Sequence, residues 1–177
     1  MRRVKLFGAA RSHPVFAAGL GMTALLAVFS TLFADRQIVI NTSPSVAPGF
    51  YIRSTASPKV GAIIDFRIPP AAQPYVFGRT GCAGSNWYIL KPIAAGPGDE
   101  VDTTGSWLVI NGRRLAPMPP NADHLGNPLP LWHRNYVLGP GEFFVFSDRI
   151  RNSFDSRCYG PIRRDEIDAV RKPLLTW

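Results

Sequence analysis

Three short stretches of this chain carry side chains whose types and spacing suit chemistry. In YILKPIAA, Lys91 is a lone cation in an apolar run. Side chains alternate along a strand, so Lys91 shares a face with Ile89 and Ile93. Two readings of such a lysine stand. It can occupy an edge strand, with its stem over apolar surface and its ammonium in water. Alternatively, burial disfavours the charged form until a neutral amine exists near neutral pH, and a neutral lysine can act as a general base.

A base needs a group to activate. NTSPSVAPGFY, residues 41–51, offers Ser43 and Ser45 one residue apart among prolines. Serine is a weak nucleophile until a neighbouring base accepts its proton. Between Pro44 and the Val46-Ala47-Pro48-Gly49 turn, Ser45 sits on a backbone with few alternatives, which would aim its hydroxyl at little entropic cost. The plain alternative is a proline-rich loop leading into a domain. In RNSFDSRCYGPI, residues 151–162, Asp155 lies two residues before Arg157. In extended structure Ser153, Asp155 and Arg157 would share a face and the charges would pair, or the stretch is simply a polar strand end.

Other chemistries find less support. His13, His124 and His133 are scattered, no C-x-x-C occurs, and neither a zinc site nor a histidine-based triad is expected. His133 reads as a surface-loop residue. Cys82 and Cys158 suit an oxidising compartment, where they could form a bridge.

The elements that must position these groups follow from composition. The chain has 177 residues, is 46% hydrophobic and carries a formal charge of +8. Arg2, Arg3, Lys5 and Arg11 precede the first acidic residue, Asp35, so much of the excess lies in a basic head. No lysine run or basic helical stripe follows, and no nucleic-acid partner is expected. The head leads into Val15 to Ala34, twenty residues without a charge, long enough for a bilayer core of about 30 Å. Leu32-Phe33-Ala34 is a poor cleavage site, which argues for an uncleaved anchor with the head in the cytoplasm and the rest outside. The expected organisation is a basic head (1–12), a transmembrane anchor (13–35) and an extracytoplasmic domain (36–177).

Seventeen prolines and sixteen glycines break that domain into short segments, so the expected fold class is all-β. Strands are expected at 49–54, 60–68, 87–93 and 142–147. A hairpin is expected at 107–115, with Asn111-Gly112 as a type I′ turn. A helical turn is expected only around 165–170. Residues 69–86 and 116–136 read as insertions, the second as a long ordered loop or small cap.

Together the three stretches resemble the signal peptidase I family of membrane-bound Ser-Lys proteases. Ser43-Pro44-Ser45-Val46-Ala47-Pro48 is similar to the family's S-x-S-M-x-P box. Lys91 to Asp99 is similar to K-R-x-x-G-x-P-G-D, and Asn152 to Gly160 to N-S-x-D-S-R-x-x-G. The resemblance implies an antiparallel β-sheet catalytic domain with a small β cap or loop insertion, preceded by one transmembrane helix. It implies Ser45 as nucleophile, Lys91 as base, Ser43 with the Ser45 amide as oxyanion hole, and Ser153, Asp155 and Arg157 as supporting residues. No metal or cofactor is implied. Val46 for methionine, Pro92 for arginine, and Ser147 to Arg151 where the family has G-D-N are departures. With the LLTW ending they resemble the TraF-type branch, which serves conjugative transfer.

That branch implies a membrane-bound pilin-like or secretory precursor as partner, cut after small-x-small sequences and in some members cyclised. The expected location is the bacterial inner membrane, with the catalytic domain periplasmic. Two other readings are a self-cleaving Ser-Lys repressor, which would need a DNA-binding domain where the apolar segment stands, and a non-catalytic β-domain of a conjugation or secretion apparatus.

Overall fold

The computed structural model of the chain describes residues 14–75, 88–122, 126 and 128–177. It separates into two units, 1–38 and 39–177. The first holds helix α1 (Pro14–Ala34), whose side chains from Ala17 to Leu32 are all exposed. Side chains are described from Ala17 to Phe33, which at about 1.5 Å per residue cover about 26 Å. Among the described residues no helix is long and apolar enough to cross a membrane.

The second unit is built of antiparallel strands: β1 (Ile38–Asn41), β2 (Gly49–Ser54), β3 (Ile63–Arg67), β4 (Tyr88–Ala95), β5 (Glu100–Asp102), β6 (Trp107–Ile110), β7 (Arg113–Pro117), β8 (Asn135–Val137), β9 (Glu142–Val145), β10 (Ile162–Arg163) and β11 (Ile167–Thr176). They form a seven-stranded sheet, β1-β2-β11-β3-β4-β9-β10, and a four-stranded sheet, β7-β6-β5-β8. The all-β expectation holds.

β9 joins the two sheets' cores, because successive residues on a strand face opposite ways. Phe143 packs with Ile64, Phe66, Ile93, Ile162 and Val170. Phe144 turns the other way, against Val101, Leu108, Ile110 and Leu138. Each fully buried side chain of this size stabilises the fold by roughly 1.5–3 kcal/mol. A polar residue at either position would therefore loosen the site's main support.

The hairpin at 107–115 forms as expected, with Asn111 and Gly112 at φ of 50° and 76°, the left-handed pair a type I′ turn needs. The strand expected at 60–68 is confined to Ile63–Arg67, and that at 142–147 ends at Val145. The strand expected at 87–93 runs from Tyr88 to Ala95, and Trp87 lies outside the described residues. The helical turn expected around 165–170 is present only at its start, as a 3-10 turn over Arg164–Glu166, and from Ile167 the chain is instead the ten-residue β11. A strand wins there because Ile167, Ala169 and Val170 bury their side chains while the backbone pairs with β2 and β3 on its two sides. Of the insertion at 69–86, Pro70–Ala72 is a 3-10 turn and residues 76–86, with Cys82, lie outside the described set. The insertion at 116–136 begins within β7 and ends within β8.

Candidate active site

Ser45 lies in a turn between β1 and β2, and the turn is held from inside by Asn41. The Asn41 side-chain amide donates to the carbonyls of Ser43 at 2.9 Å, Val46 at 2.9 Å and Ala47 at 3.1 Å, while its oxygen accepts from the Ser43 amide at 3.1 Å. The Tyr51 hydroxyl donates to the Ala47 carbonyl at 2.7 Å. One buried asparagine thus replaces a helix or sheet as the scaffold of the turn, and Ser45 is only 2% exposed. Beyond the turn, Gly49 admits no side chain. A Cβ there would sit 2.1 Å from the Leu175 carbonyl oxygen of β11, and the Trp177 amide donates to Pro48 at 3.0 Å.

Lys91 is held differently. β4 lies between β3 and β9, so the edge-strand reading of this lysine fails. Lys91 is 4% exposed, and its neighbour on the same face, Ile93, is 2% exposed. Burial lowers its pKa to about 8, with Asp155 and Cys158 pulling it up and Arg157 pushing it down. Its Nζ donates to Ser153 Oγ at 2.8 Å. Cys158 offers no rival nucleophile: its thiol is free and buried, and burial pushes its pKa up to about 11.

The third stretch is not extended. Asp155 caps a single helical turn, α2 (Ser156–Tyr159), and accepts from the Arg157 amide at 3.2 Å. The pairing with Arg157 exists nonetheless, two-pronged, with Nε and Nη2 each 2.9 Å from a different carboxylate oxygen. The backbone folds because Asp155 competes for its own downstream amide, which extended structure would leave unpaired. Arg157 also donates to the carbonyls of Pro117 at 2.9 Å and Ser153 at 3.3 Å, and its guanidinium lies 4.7 Å from the Phe146 ring centre. Both charges are essentially sealed, at 1% and 0% side-chain exposure.

The end of β9 ties the stretches together. The Val145 amide donates to Ser156 Oγ at 3.0 Å, and the Phe146 amide to the Pro92 carbonyl at 3.1 Å. Ser147 bonds through its hydroxyl to the Ser45 carbonyl and through its amide, at 3.4 Å, to Asp155. Ser45, Pro92 and Asp155 are therefore connected through two consecutive residues, Phe146 and Ser147.

The structure does not join Ser45 to Lys91 by a hydrogen bond. Ser45 Oγ is 3.0 Å from Ser43 Oγ, and the Ser45 amide approaches that same oxygen at 3.5 Å. The two serines satisfy each other while Lys91 is satisfied by Ser153. A cavity of about 260 Å³ opens at Ser45, walled by Val46, Ala47, Ile63, Pro92 and Pro173. It suits a small apolar side chain beside the hydroxyl. Among the described residues no three His, Cys, Asp or Glu side chains converge as a metal site. His133 lies exposed in the loop before β8, bonded to the Thr103 carbonyl at 2.7 Å. His13 and His124 lie outside the described residues.

Asn41 and Ser147 escaped sequence reasoning. Asn41 immediately precedes the serine turn, and an asparagine's habit of bonding to nearby backbone is a usable signal. Ser147 had none, since its partner is 102 residues away.

Comparison with known proteins adds independent findings. The family model described as "Signal peptidase, peptidase S26" matches residues 13–175. Two proteins from Escherichia coli named plasmid transfer protein TraF are each 34% identical, over 166 and 165 residues, covering 89% of this chain and 92% of theirs. A conjugal transfer protein TraF from Agrobacterium tumefaciens (strain 15955) is 25% identical over 146 residues, 78% of this chain and 82% of its own. Among solved structures, a signal peptidase I from Enterococcus faecalis V583 is similar at 19% identity and a TM-score of 0.38, covering 66% of this chain and 98% of that one.

Proposed function

The chain belongs to the signal peptidase S26 family, and from that premise we propose that it is a membrane-anchored serine endopeptidase in which Lys91 activates Ser45. The carrying observation is a buried amine with a pKa of about 8 on a strand whose next residue, Pro92, lines the cavity of Ser45. At pH 8 about half of such lysines are neutral, enough to accept a proton without a metal or a histidine.

The reaction begins when the Ser45 hydroxyl leaves Ser43 and turns to Lys91. Ser153 already holds Nζ by one hydrogen bond and so limits where its lone pair points. Lys91 takes the proton as Ser45 Oγ attacks the carbonyl of the scissile bond. That rotation frees the Ser43 hydroxyl, and once Ser43 Oγ gives up its long 3.5 Å contact with the Ser45 amide the two groups donate to the developing oxyanion. One such donor contributes about 3–4 kcal/mol in comparable sites. Lys91 returns the proton to the departing amine, and water, or an amine if the product is cyclised, releases the acyl group from Ser45. Asp155 and Arg157 hold Ser153 and Ser147 in position and touch no substrate.

The cavity beside Ser45 supports a small residue before the cut, as in small-x-small sequences. The uncharged run from Val15 to Ala34, behind a basic head, supports an anchor with the catalytic domain periplasmic, which would hold the site near a membrane-bound precursor. That the relatives are plasmid and conjugal transfer proteins supports a substrate from such an apparatus, a pilin-like precursor. The test is mass spectrometry of a co-expressed pilin-like precursor with wild type, Ser45→Ala and Lys91→Ala. Maturation is expected with wild type alone. Normal maturation with both variants would sink this reading in favour of a structural component.

A further inference from the structure

The segment Ser147–Arg151 replaces the family's usual residues, and the mechanism uses only Ser147. Arg149 is exposed, yet it is anchored at one end. Its Nε donates to the Pro44 carbonyl at 3.2 Å, one residue before Ser45, and its amide donates to Ser147 Oγ at 3.3 Å. The same side chain lines the cavity beside Ser45, whose lining contains no carboxylate. Arg149 makes no ion pair among the described residues; the pairs there belong to other arginines. Its neighbour Asp148 lines a different cleft, of about 420 Å³, on the side of Phe146 and Arg157. Tyr51 supplies no countercharge either, since burial raises its pKa and its hydroxyl is given to Ala47.

A guanidinium with no counter-ion among the described residues thus stands at the opening into which the substrate must bring its scissile bond. We propose that Arg149 makes the enzyme selective for precursors with an acidic side chain within two residues of the scissile bond; this rests on the peptidase reading above. Arginine suits the role because its fork still presents donors after Nε is engaged, and a side chain already held at Pro44 loses less freedom on pairing. The pair forms at a partly solvated edge, so the selectivity is modest, about five- to ten-fold in kcat/KM, and weakens as salt screens it.

The experiment uses the full chain in detergent and peptides that keep one small-x-small sequence. Asp, Asn or Lys is placed in turn two residues before the cut and one and two residues after it. At one of these positions wild type is expected to prefer Asp over Asn by that factor and to disfavour Lys. Arg149→Gln should erase the ratio, Arg149→Lys should keep part of it, and Arg149→Glu should shift the preference to Lys. Equal cleavage of Asp and Asn peptides at all three positions overturns the selectivity and leaves the peptidase reading intact. An Asp preference that survives Arg149→Gln, with all rates lowered together, overturns it too, leaving Arg149 only as a brace for the serine turn. No cleavage of any peptide by wild type overturns both.

Discussion

Among the described residues two aspartate–arginine pairs are buried in this domain, and only one of them bears on the candidate site. Asp155 and Arg157 lie two residues apart and bond backbone on three sides, at Pro117, Ser147 and Ser153. Asp65 and Arg171 lie 106 residues apart, on β3 and β11, with Nη2 to Oδ2 at 2.8 Å. Asp168 extends that pair to Arg53, at 2.6 Å. Both pairs are sealed from water, yet only the first alters the charge balance at Lys91. A buried ion pair is therefore no mark of function by itself. What distinguishes the first is that its partners touch the residues that hold the amine and the serine turn.

The comparison breaks most visibly if one partner is removed from each pair. Asp155→Ala strands Arg157 and removes the cap of α2, and is expected to destabilise the domain by about 3–5 kcal/mol. Chemical denaturation measures this. Because Asp155 raises the Lys91 pKa, the surviving activity should also have its pH midpoint moved to lower pH. Asp65→Asn should weaken the fold by about 2–4 kcal/mol, yet leave the midpoint of the kcat/KM profile near pH 8. A midpoint that shifts equally in both variants would erase the distinction.

Lys91 itself gives the next effect. Its folded pKa of about 8 lies below its ordinary 10.5, so between those values the unfolded chain binds more protons and stability climbs as pH rises; below pH 8 the cost of burying the charge is fully present. Lys91→Met is expected to be more stable than wild type at pH 7 by about 2–3 kcal/mol, with the advantage fading toward pH 10.5. Denaturant midpoints at the two pH values test the sign. The exposed pair Arg163–Asp165, at 3.2 Å, sets the floor: Arg163→Ala should change stability by less than about 0.5 kcal/mol and leave the pH profile alone.

The legible features in the sequence were those encoded by neighbours in the chain. Alternation along 88–95 sufficed to put Lys91 on the face of Ile93, and Asn111-Gly112 sufficed for its hairpin. The pairing of Asp155 with Arg157 was legible, but its backbone was misjudged. Asp before Ser-Arg-Cys-Tyr and Gly160 is a cap, a turn and a stop, and four residues show no period from which a helix can be read. The place of β11 between β2 and β3 was not legible, since nothing in residues 167–176 names the strands they will join. Nor was the engagement of Ser45 with Ser43 rather than Lys91, which rests on side-chain torsions that no spacing reports.

The serine turn is made early in the chain, yet its far wall is made late: Leu175 pairs with Phe50, Thr176 with Gly49, and Pro173 lines the cavity at Ser45. A chain translated only as far as β10 therefore lacks one wall of the cavity at Ser45. Any activity that depends on this cavity would therefore arise as a step, only once β11 has been made and has closed over the turn.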